Sequence, residues 1–264
     1  MSAVLVIGGG VPGLSASVAL AERGVPVILM SATRAASVPH FPEGGFPLGE
    51  DVDALATAIG DVPGARDLAA KAGAWVERLL ALGVPFAREG RDLLRRRLEG
   101  HAIADAVHVD ARAASQIAWA LDRELMRHEA GGAKVTRRER HALIDLVVDD
   151  AGRVVGALLE QRITGKREVQ AASAVVLTAT GPHGAFAGPD AASPPEAAIA
   201  CGLALGASAR VAPARLHPLL LAHGRRAQPL SSALRAEGLR LWIPEDGKEA
   251  RIPRDIPPSD RDHF

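Results

Sequence analysis

The residues with the clearest chemical meaning form a short glycine turn near the N-terminus. Gly8, Gly10 and Gly13 match the pattern G-x-G-x-x-G within the segment GGGVPG at 8–13. In such a turn the first glycine allows a tight bend, the second lets the backbone approach a pyrophosphate, and the third lets a helix pack closely on a strand. The N-terminus of the following helix offers free N–H groups and a partial positive charge to phosphate oxygens. The turn therefore predicts dinucleotide binding, with a merely structural glycine turn as the alternative.

The elements on either side of this turn have the order that such a site requires. The apolar run Ala3–Ile7 predicts a buried strand, Leu14–Arg23 predicts a helix that ends at Gly24, and Val25–Met30 predicts a second strand. Together they make a β-α-β unit of about 30 residues. An acidic residue that binds the adenosine ribose is expected at the end of the second strand, but Ser31 stands there and could donate one hydrogen bond. No basic residue occupies this place, so NADP is not favoured.

Further along the chain, helical and strand patterns alternate. Helical periodicity predicts helices over Asp67–Leu82, Ala111–His128 and Ala197–Leu205, whereas Pro85–His101 is irregular and basic. A tight turn at 150–152 predicts a hairpin between 143–149 and 154–160, and the run 174–177 predicts another buried strand. We expect an α/β fold in which the strands at 3–7, 25–30 and 174–177 form a parallel sheet. The first helix should cover one face of this sheet and the hairpin the other.

Composition and charge restrict the class of protein. The chain of 264 residues carries 31 basic and 31 acidic residues, so its formal net charge is zero. A nucleic-acid or membrane-surface role would favour a basic excess, and no apolar run approaches the roughly 20 residues that span a bilayer. The single cysteine, Cys201, excludes an intramolecular disulfide and suits a reducing cytoplasm. We expect a cytoplasmic globular protein with no nucleic-acid partner, no membrane segment and no metal site.

With its second half included, the sequence resembles the flavoproteins of the L-aspartate oxidase and fumarate reductase/succinate dehydrogenase family. The matching segments follow the order and spacing of the family and extend over nearly the whole chain. They resemble the family motifs G-S-T with A-Q-G-G, E-G-G-H, V-L-A-T-G-G, F-H-P-T, T-E-A-L-R-G-E-G and P-R-D. In this sequence they read AS at 36–37 with EGG at 43–45, EGH at 99–101 with His108, VLTATG at 176–181, LHP at 216–218, SSALRAEG at 231–238 and PRD at 253–255. The pair HA at 141–142 stands at the place where the family's backbone contacts adenine.

The resemblance implies FAD as the cofactor. It also implies an FAD-type, Rossmann-like three-layer sandwich with a parallel sheet, to which a partial capping domain is attached. We expect the FAD-binding domain over residues 1–217 and the partial capping or substrate domain over 218–264. The residues expected to hold FAD are those of the glycine turn and those that match the family's flavin contacts: Gly8, Gly10, Val11, Pro12, Gly13, Ser31, Ser37, Gly44, Gly45, Ala142, Thr180 and Gly181.

The family's chemistry is hydride transfer between a small dicarboxylate or amino-dicarboxylate and N5 of the flavin. By resemblance, His217 and Arg235 would bind substrate carboxylates, Ser231 and His101 would complete the substrate site, and Arg254 would relay the proton. Cations and hydrogen-bond donors suit each carboxylate. Arginine is an unusual acid or base because its pKa normally lies above about 12, so Arg254 is named by the resemblance alone. Each of these side chains has an alternative interpretation as a structural or surface residue.

Three departures from the family pattern leave the function open. Ser232 stands where the family has a glutamate of the proton relay, Glu196-Ala197-Ala198 stands in place of G-D-G, and the sequence ends soon after Arg254. One alternative is a flavoenzyme, or a piece of one that associates with a missing domain or other subunits. The second is a truncated or degenerate FAD-binding scaffold without turnover. A third, weaker alternative is an NAD-dependent reductase that uses the same glycine turn.

Overall fold

A computed structural model describes residues 3–36, 44–47, 65–96, 106–109, 113–178, 220–223, 226–229, 242–245 and 248–251. In chain order the elements are β1 (Val4–Ile7), α1 (Val11–Glu22), β2 (Val27–Ser31), β3 (Gly44–Pro47), α2 (Ala65–Ala70), α3 (Ala72–Ala81), β4 (Arg88–Glu89), β5 (Asp92–Leu93), β6 (Arg95–Arg96), β7 (Ala106–Val109), α4 (Ala113–Ala130), β8 (Val135–Glu139), β9 (His141–Val148), β10 (Val154–Gln161), β11 (Arg167–Ala171), β12 (Ala174–Leu177), β13 (Leu220–His223), β14 (Arg226–Pro229), β15 (Trp242–Glu245) and β16 (Lys248–Arg251).

The chain divides into two compact units, and neither follows a single stretch of sequence. The first unit comprises Met1–Phe41, Ala81–Val84 and Arg112–Ala214, and the second comprises Pro42–Leu80, Pro85–Ala111 and Arg215–Phe264. The domain boundary expected at residue 217 stays a prediction. Within the part of the chain that the structure describes, none of the helices combines the length and the apolar character needed to cross a bilayer.

A parallel sheet of four strands, in the order β12-β1-β2-β8, forms the centre of the first unit. Leu5 of β1 pairs with Val175 of β12 on one side and with Ile28 of β2 on the other. The central strands are apolar up to Ser31 at the end of β2, because both faces of the sheet are covered, and Leu5, Val6 and Leu29 are fully buried. The expected parallel sheet, with strands from both ends of this unit, is therefore confirmed.

The two faces of this sheet carry different layers. Alternation along the strands sends Leu5 and Met30 to one face, where they pack with Leu143, Ala157 and Leu159 of a three-stranded antiparallel sheet, β11-β10-β9. Helix α1 packs against β1 and β2, and also against α4. The structure thus has the predicted α/β sandwich of three layers, and the predicted hairpin gains a third strand, β11.

Strand β8 was not evident from the sequence pattern. Its sequence, VTRRE, contains three charged residues, which the edge position of the strand in the described sheet accommodates. Arg137 of β8 contacts Asp122 at 2.6 Å and Glu129 at 2.8 Å, both on α4. Burial alone would lower the pKa of Arg137, but its hydrogen bonds to these two carboxylates raise that pKa above its ordinary value. Ion pairs between β8 and α4 therefore stabilise a strand that hydrophobic periodicity cannot reveal.

The predicted helices need three corrections. Helix α1 begins at Val11, three residues before the predicted start, because Gly10 caps it and Pro12 fits its first turn. The helix predicted over 67–82 is two helices, α2 and α3, which are separated at Lys71, and the nearby Gly73 lowers the local helix propensity. Helix α4 lies two residues later than predicted. The helix predicted over 197–205 lies outside the described residues.

In the second unit the described strands are antiparallel. They form a three-stranded sheet, β3-β7-β6, and the two-stranded sheets β4-β5, β13-β14 and β15-β16. All four residues of β7 are buried, including His108. The interpretation of 85–101 as irregular is wrong for β4, β5 and β6. These strands have only two residues each, which is too short for an alternating pattern to show.

Candidate dinucleotide site

The turn between β1 and α1 has no room for side chains. Gly8 has φ of +126°, a conformation that L side chains rarely adopt, and its N–H donates to the carbonyl oxygen of Met30 at 2.8 Å. A Cβ on Gly13 would overlap the carbonyl oxygen of Gly8 and would lie 2.8 Å from Oγ1 of Thr178. The predicted reason for Gly13, close packing of helix on strand, is therefore visible in the structure.

The first turn of α1 presents unused backbone donors. Gly10 is the N-cap residue, with extended backbone and no side-chain cap, and its carbonyl oxygen accepts from the N–H of Leu14 at 2.9 Å. Among the described residues, the N–H groups of Gly10, Val11 and Gly13 donate to no acceptor, and Pro12 has no N–H to satisfy. A helix N-terminus with free donors and no side chain in the way suits a diphosphate.

The segment after β2 folds back over the glycine turn. Ala36, with φ of +61°, donates its N–H to the carbonyl oxygen of Gly9 at 2.9 Å. A Cβ on Gly9 would lie 2.7 Å from Cβ of Ser31 and 3.2 Å from Cα of Ala35. Gly9, an unspecified position of the motif, therefore also needs to be glycine, which the sequence pattern did not indicate.

Ser31 lies where the ribose-binding acid of a dinucleotide site is expected. It is 3% exposed, and its hydroxyl donates to the carbonyl oxygen of Thr33 at 2.7 Å. The single hydrogen of the hydroxyl is thus already used, so Ser31 can offer a ligand only its lone pairs. The predicted contact of Ser31 with FAD stays a prediction, and in this arrangement a ribose hydroxyl would be the donor to Ser31.

Glu139 and Arg140, at the end of β8, hold the same segment and were not identified from the sequence. Oε1 of Glu139 accepts from the N–H of Ala35 at 3.1 Å. The N–H of Arg140 lies 3.4 Å from the carbonyl oxygen of Thr33. The separation of 104 residues between Ala35 and Glu139 explains why no local motif reveals the contact.

Thr178 joins the end of β12 to the glycine turn. Its N–H and its hydroxyl both donate to the carbonyl oxygen of Ile7, at 2.9 and 2.8 Å. Oγ1 also lies 3.4 Å from the carbonyl oxygen of Gly8. The C-terminal ends of three neighbouring strands, β12, β1 and β2, therefore meet at the turn, the edge where ligands of open α/β sheets bind.

Ala142, the predicted backbone contact for adenine, lies in β9 opposite Glu160 of β10. The N–H of Arg162 donates to the carbonyl oxygen of Arg140 at 2.8 Å, so residues 140 and 162 form a hydrogen-bonded pair. In an antiparallel pair of strands, every second residue along each strand belongs to such a pair. Two residues further along, Ala142 therefore directs its own N–H and carbonyl towards β10. Those of Leu143 point to the other edge of β9, which has no neighbouring strand among the described residues. The contact of Ala142 with adenine stays a prediction.

The remaining predicted site residues are described in part or not at all. Gly44 and Gly45 lie in β3, where they pair with Val109 and His108 of β7. Their predicted contact with flavin stays a prediction. The others lie outside the described residues, and their roles also stay predictions: Ser37, His101, Thr180, Gly181, His217, Ser231, Arg235 and Arg254.

One group of potential metal ligands occurs among the described residues, away from the glycine turn. Glu22, Glu124 and His128 bring ligand atoms within 4.8 Å of one another where α1 meets α4. Arg127 already binds both carboxylate oxygens of Glu124, at 2.6 and 2.9 Å. The hydrogen bonds that Arg127 donates to Glu124 raise the pKa of Arg127 above its ordinary value. This group is an ion-pair cluster between two helices, and no metal role is assigned to it.

Comparison with known proteins decides the family. Residues 3–256 match the FAD binding domain family. The chain belongs to this family. It is 26% identical over 266 residues to the succinate dehydrogenase flavoprotein subunit of Bacillus subtilis, covering 94% of this chain and 45% of the relative. It is 30% identical over 289 residues to the L-aspartate oxidase of Vibrio cholerae, covering 96% of this chain and 53% of the relative. The chain thus spans about half the length of these relatives, and the resemblance inferred from the motifs is confirmed.

Solved structures support the same fold. The Mycobacterium smegmatis Sdh1 complex in the apo form has a TM-score of 0.68 at 23% identity, over 78% of this chain and 38% of that one. E. coli quinol fumarate reductase FrdA has a TM-score of 0.59 at 18% identity, over 69% of this chain and 33% of that one. The expectation of FAD as the cofactor is confirmed by the family match. The residues present fit such a group, because the N–H groups of Gly10, Val11 and Gly13 at the start of α1 have no acceptor among the described residues and can bind a diphosphate.

Proposed function

We propose that this chain is the FAD-binding part of a flavin-dependent oxidoreductase that acts on a small dicarboxylate or amino-dicarboxylate. The observation that carries the proposal is the glycine turn at 8–13 with its free N–H donors, which we call the glycine cradle. It lies in a chain whose match to the FAD binding domain family runs from residue 3 to 256. The names of two relatives support the substrate class, because succinate and L-aspartate are both four-carbon dicarboxylates. When bound, FAD would supply the hydride acceptor at N5 of its ring.

The described residues would bind and orient the cofactor. The N–H groups of Val11 and Gly13 would donate to the diphosphate, where charge-assisted hydrogen bonds are stronger than neutral ones. The segment that ends at Ala36 would keep its place over the turn through its bond to Gly9. Ser37, Gly44, Gly45, Ala142, Thr180 and Gly181 are proposed as further FAD contacts on the basis of the motif match.

The substrate residues are proposed on the same basis. His217 and Arg235 would bind the two carboxylates, with Ser231 and His101 beside them, and Arg254 would deliver or remove the proton. A guanidinium offers two parallel donors to one carboxylate, which lysine cannot reproduce. The relative named as a flavoprotein subunit supports association with a further domain or subunit. The proposed location is the cytoplasm, since a lone cysteine suits a reducing compartment.

The test starts with the visible spectrum of the purified chain, followed by anaerobic mixing with succinate or L-aspartate in a stopped-flow instrument. We expect flavin absorption that either substrate bleaches. Arg254→Ala and Arg254→Lys should both slow bleaching by about 100-fold, or 2.7 kcal/mol, since each loses a transition-state contact. Arg91→Ala removes an equal charge from an exposed position and serves as the matched control.

Three results would change the conclusion. Rapid bleaching that survives Arg254→Ala would refute the role of that arginine. FAD that stays firmly bound but is not bleached by either substrate would favour the scaffold without turnover, which Ser232 and the segment 196–198 already favour. A colourless protein that binds NAD instead of FAD would favour the reductase alternative.

A further inference from the structure

The dinucleotide site lacks an acidic residue at the end of β2. Ser31 occupies that position, and the hydrogen of its hydroxyl is committed to the carbonyl oxygen of Thr33. The ribose hydroxyls of a dinucleotide are hydrogen-bond donors, and a carboxylate is the acceptor expected to bind them. A carboxylate that reaches the same place from another element would supply the missing acceptor.

Glu139 ends the strand next to β2. Strands β2 and β8 are parallel, and Ser31 pairs directly with Glu139 in their register. Neighbouring strands lie about 4.8 Å apart, and the carboxyl ends of parallel strands meet at the edge where the cofactor binds. The backbone of Glu139 is therefore one strand away from the position at which the ribose-binding acid is expected.

The side chain of Glu139 reaches the segment that follows β2. Oε1 accepts from the N–H of Ala35 at 3.1 Å, so the carboxylate lies against the segment that follows β2. The next residue, Ala36, is bonded to Gly9 of the glycine turn. Among the described residues no donor engages Oε2 of Glu139, which leaves it available to a ligand.

We propose that Glu139 is the carboxylate that binds the adenosine ribose in this chain, in place of the acid absent from the end of β2. Oε1 holds the segment after β2 against the glycine turn, and Oε2 accepts a hydrogen bond from a ribose hydroxyl. The proposal concerns binding of FAD and does not depend on the reaction proposed above.

The test is the dissociation constant of FAD, measured by quenching of flavin fluorescence on titration of the apoprotein. Glu139→Gln keeps an oxygen that accepts from Ala35 and replaces the other with an NH₂ group, so it should weaken FAD binding by about 10- to 100-fold. Glu139→Ala removes both contacts and should weaken binding at least as much. Glu77→Gln removes the same charge from an exposed site on α3 and should leave binding unchanged.

Competition by ADP, 2′-deoxy-ADP and 3′-deoxy-ADP identifies the group that Glu139 contacts. In the parent chain, the analogue that lacks the hydroxyl bound by Glu139 should compete about tenfold more weakly than ADP. In Glu139→Gln that analogue and ADP should compete equally. A Glu139→Gln variant that binds FAD like the parent, with Glu139→Ala impaired, would overturn the proposal and leave Glu139 as a residue that only positions the loop. The proposal would also be overturned if both deoxy analogues competed as well as ADP in the parent chain, or if the parent chain bound no FAD.

Discussion

Replacing Gly13 with alanine tests the glycine cradle most directly. The added Cβ would overlap the carbonyl oxygen of Gly8 and would lie 2.8 Å from both the carbonyl carbon of Gly8 and Oγ1 of Thr178. Two of these three atoms belong to the backbone of the turn, so a side-chain rotation cannot relieve the overlap. Helix α1 must move away from β1, or the turn must deform.

The cost follows from the kind of contact. Overpacking by one methyl group in a packed core costs about 1–3 kcal/mol, and a backbone obstacle places Gly13→Ala at the upper end of this range. The change also removes chain entropy from the unfolded state, which favours alanine by about 0.4–1 kcal/mol. We therefore expect a net loss of about 2 kcal/mol in the free energy of unfolding. Movement of α1 would misplace the donors of its first turn, and losing one charge-assisted bond would weaken FAD binding by about tenfold or more.

The assay combines urea unfolding, followed by circular dichroism, with titration of FAD. Gly131→Ala is the matched control, because its Cβ would meet only the carbonyl oxygens of His128 and Arg127, at 3.4 and 3.5 Å. That variant should keep both the free energy of unfolding and the dissociation constant of FAD close to parent values. If Gly13→Ala behaved like Gly131→Ala in both measurements, the close approach of helix and strand would not be needed, and the cradle would be assigned incorrectly.

Three further substitutions probe other contacts. Gly10→Val should raise the dissociation constant of FAD at least tenfold in the same titration, since a branched side chain would stand where phosphate oxygens bind. Arg137→Met should lower the free energy of unfolding by about 1–3 kcal/mol in urea, because two partly buried carboxylates lose their partner. Hydrogen bonds from Arg153 hold the pKa of Asp149 below its ordinary value of 3.8, so its stabilisation is complete above that pH and is lost as the pH falls further. The stability gap between Asp149→Asn and the parent, measured by urea unfolding, should therefore narrow below pH 3.8; a constant gap would contradict this assignment.

The glycine turn and its flanking elements were predictable because they are contiguous. β1, α1 and β2 follow one another within the first 31 residues, so spacing along the chain sets spacing in the fold. Hydrophobic periodicity reports burial of a single element, and it located β12 as well as the pair β9 and β10 to within two residues. Family motifs added the cofactor, which no periodicity could indicate.

What the sequence did not reveal depends on the order of strands in the sheet. Gly9 needs to be glycine because Ala35 folds back over it, and Glu139 reaches Ala35 because β8 lies beside β2. Neither fact has a local signature, since each joins residues that lie far apart in the sequence. In addition, β8 is a short, charged strand stabilised by Arg137. Yet the same order of strands brings a carboxylate to the edge where Ser31 provides none. An acid missing from its usual position in a motif is therefore not evidence that the ribose lacks an acceptor, because a neighbouring parallel strand ends at the same edge and can supply one.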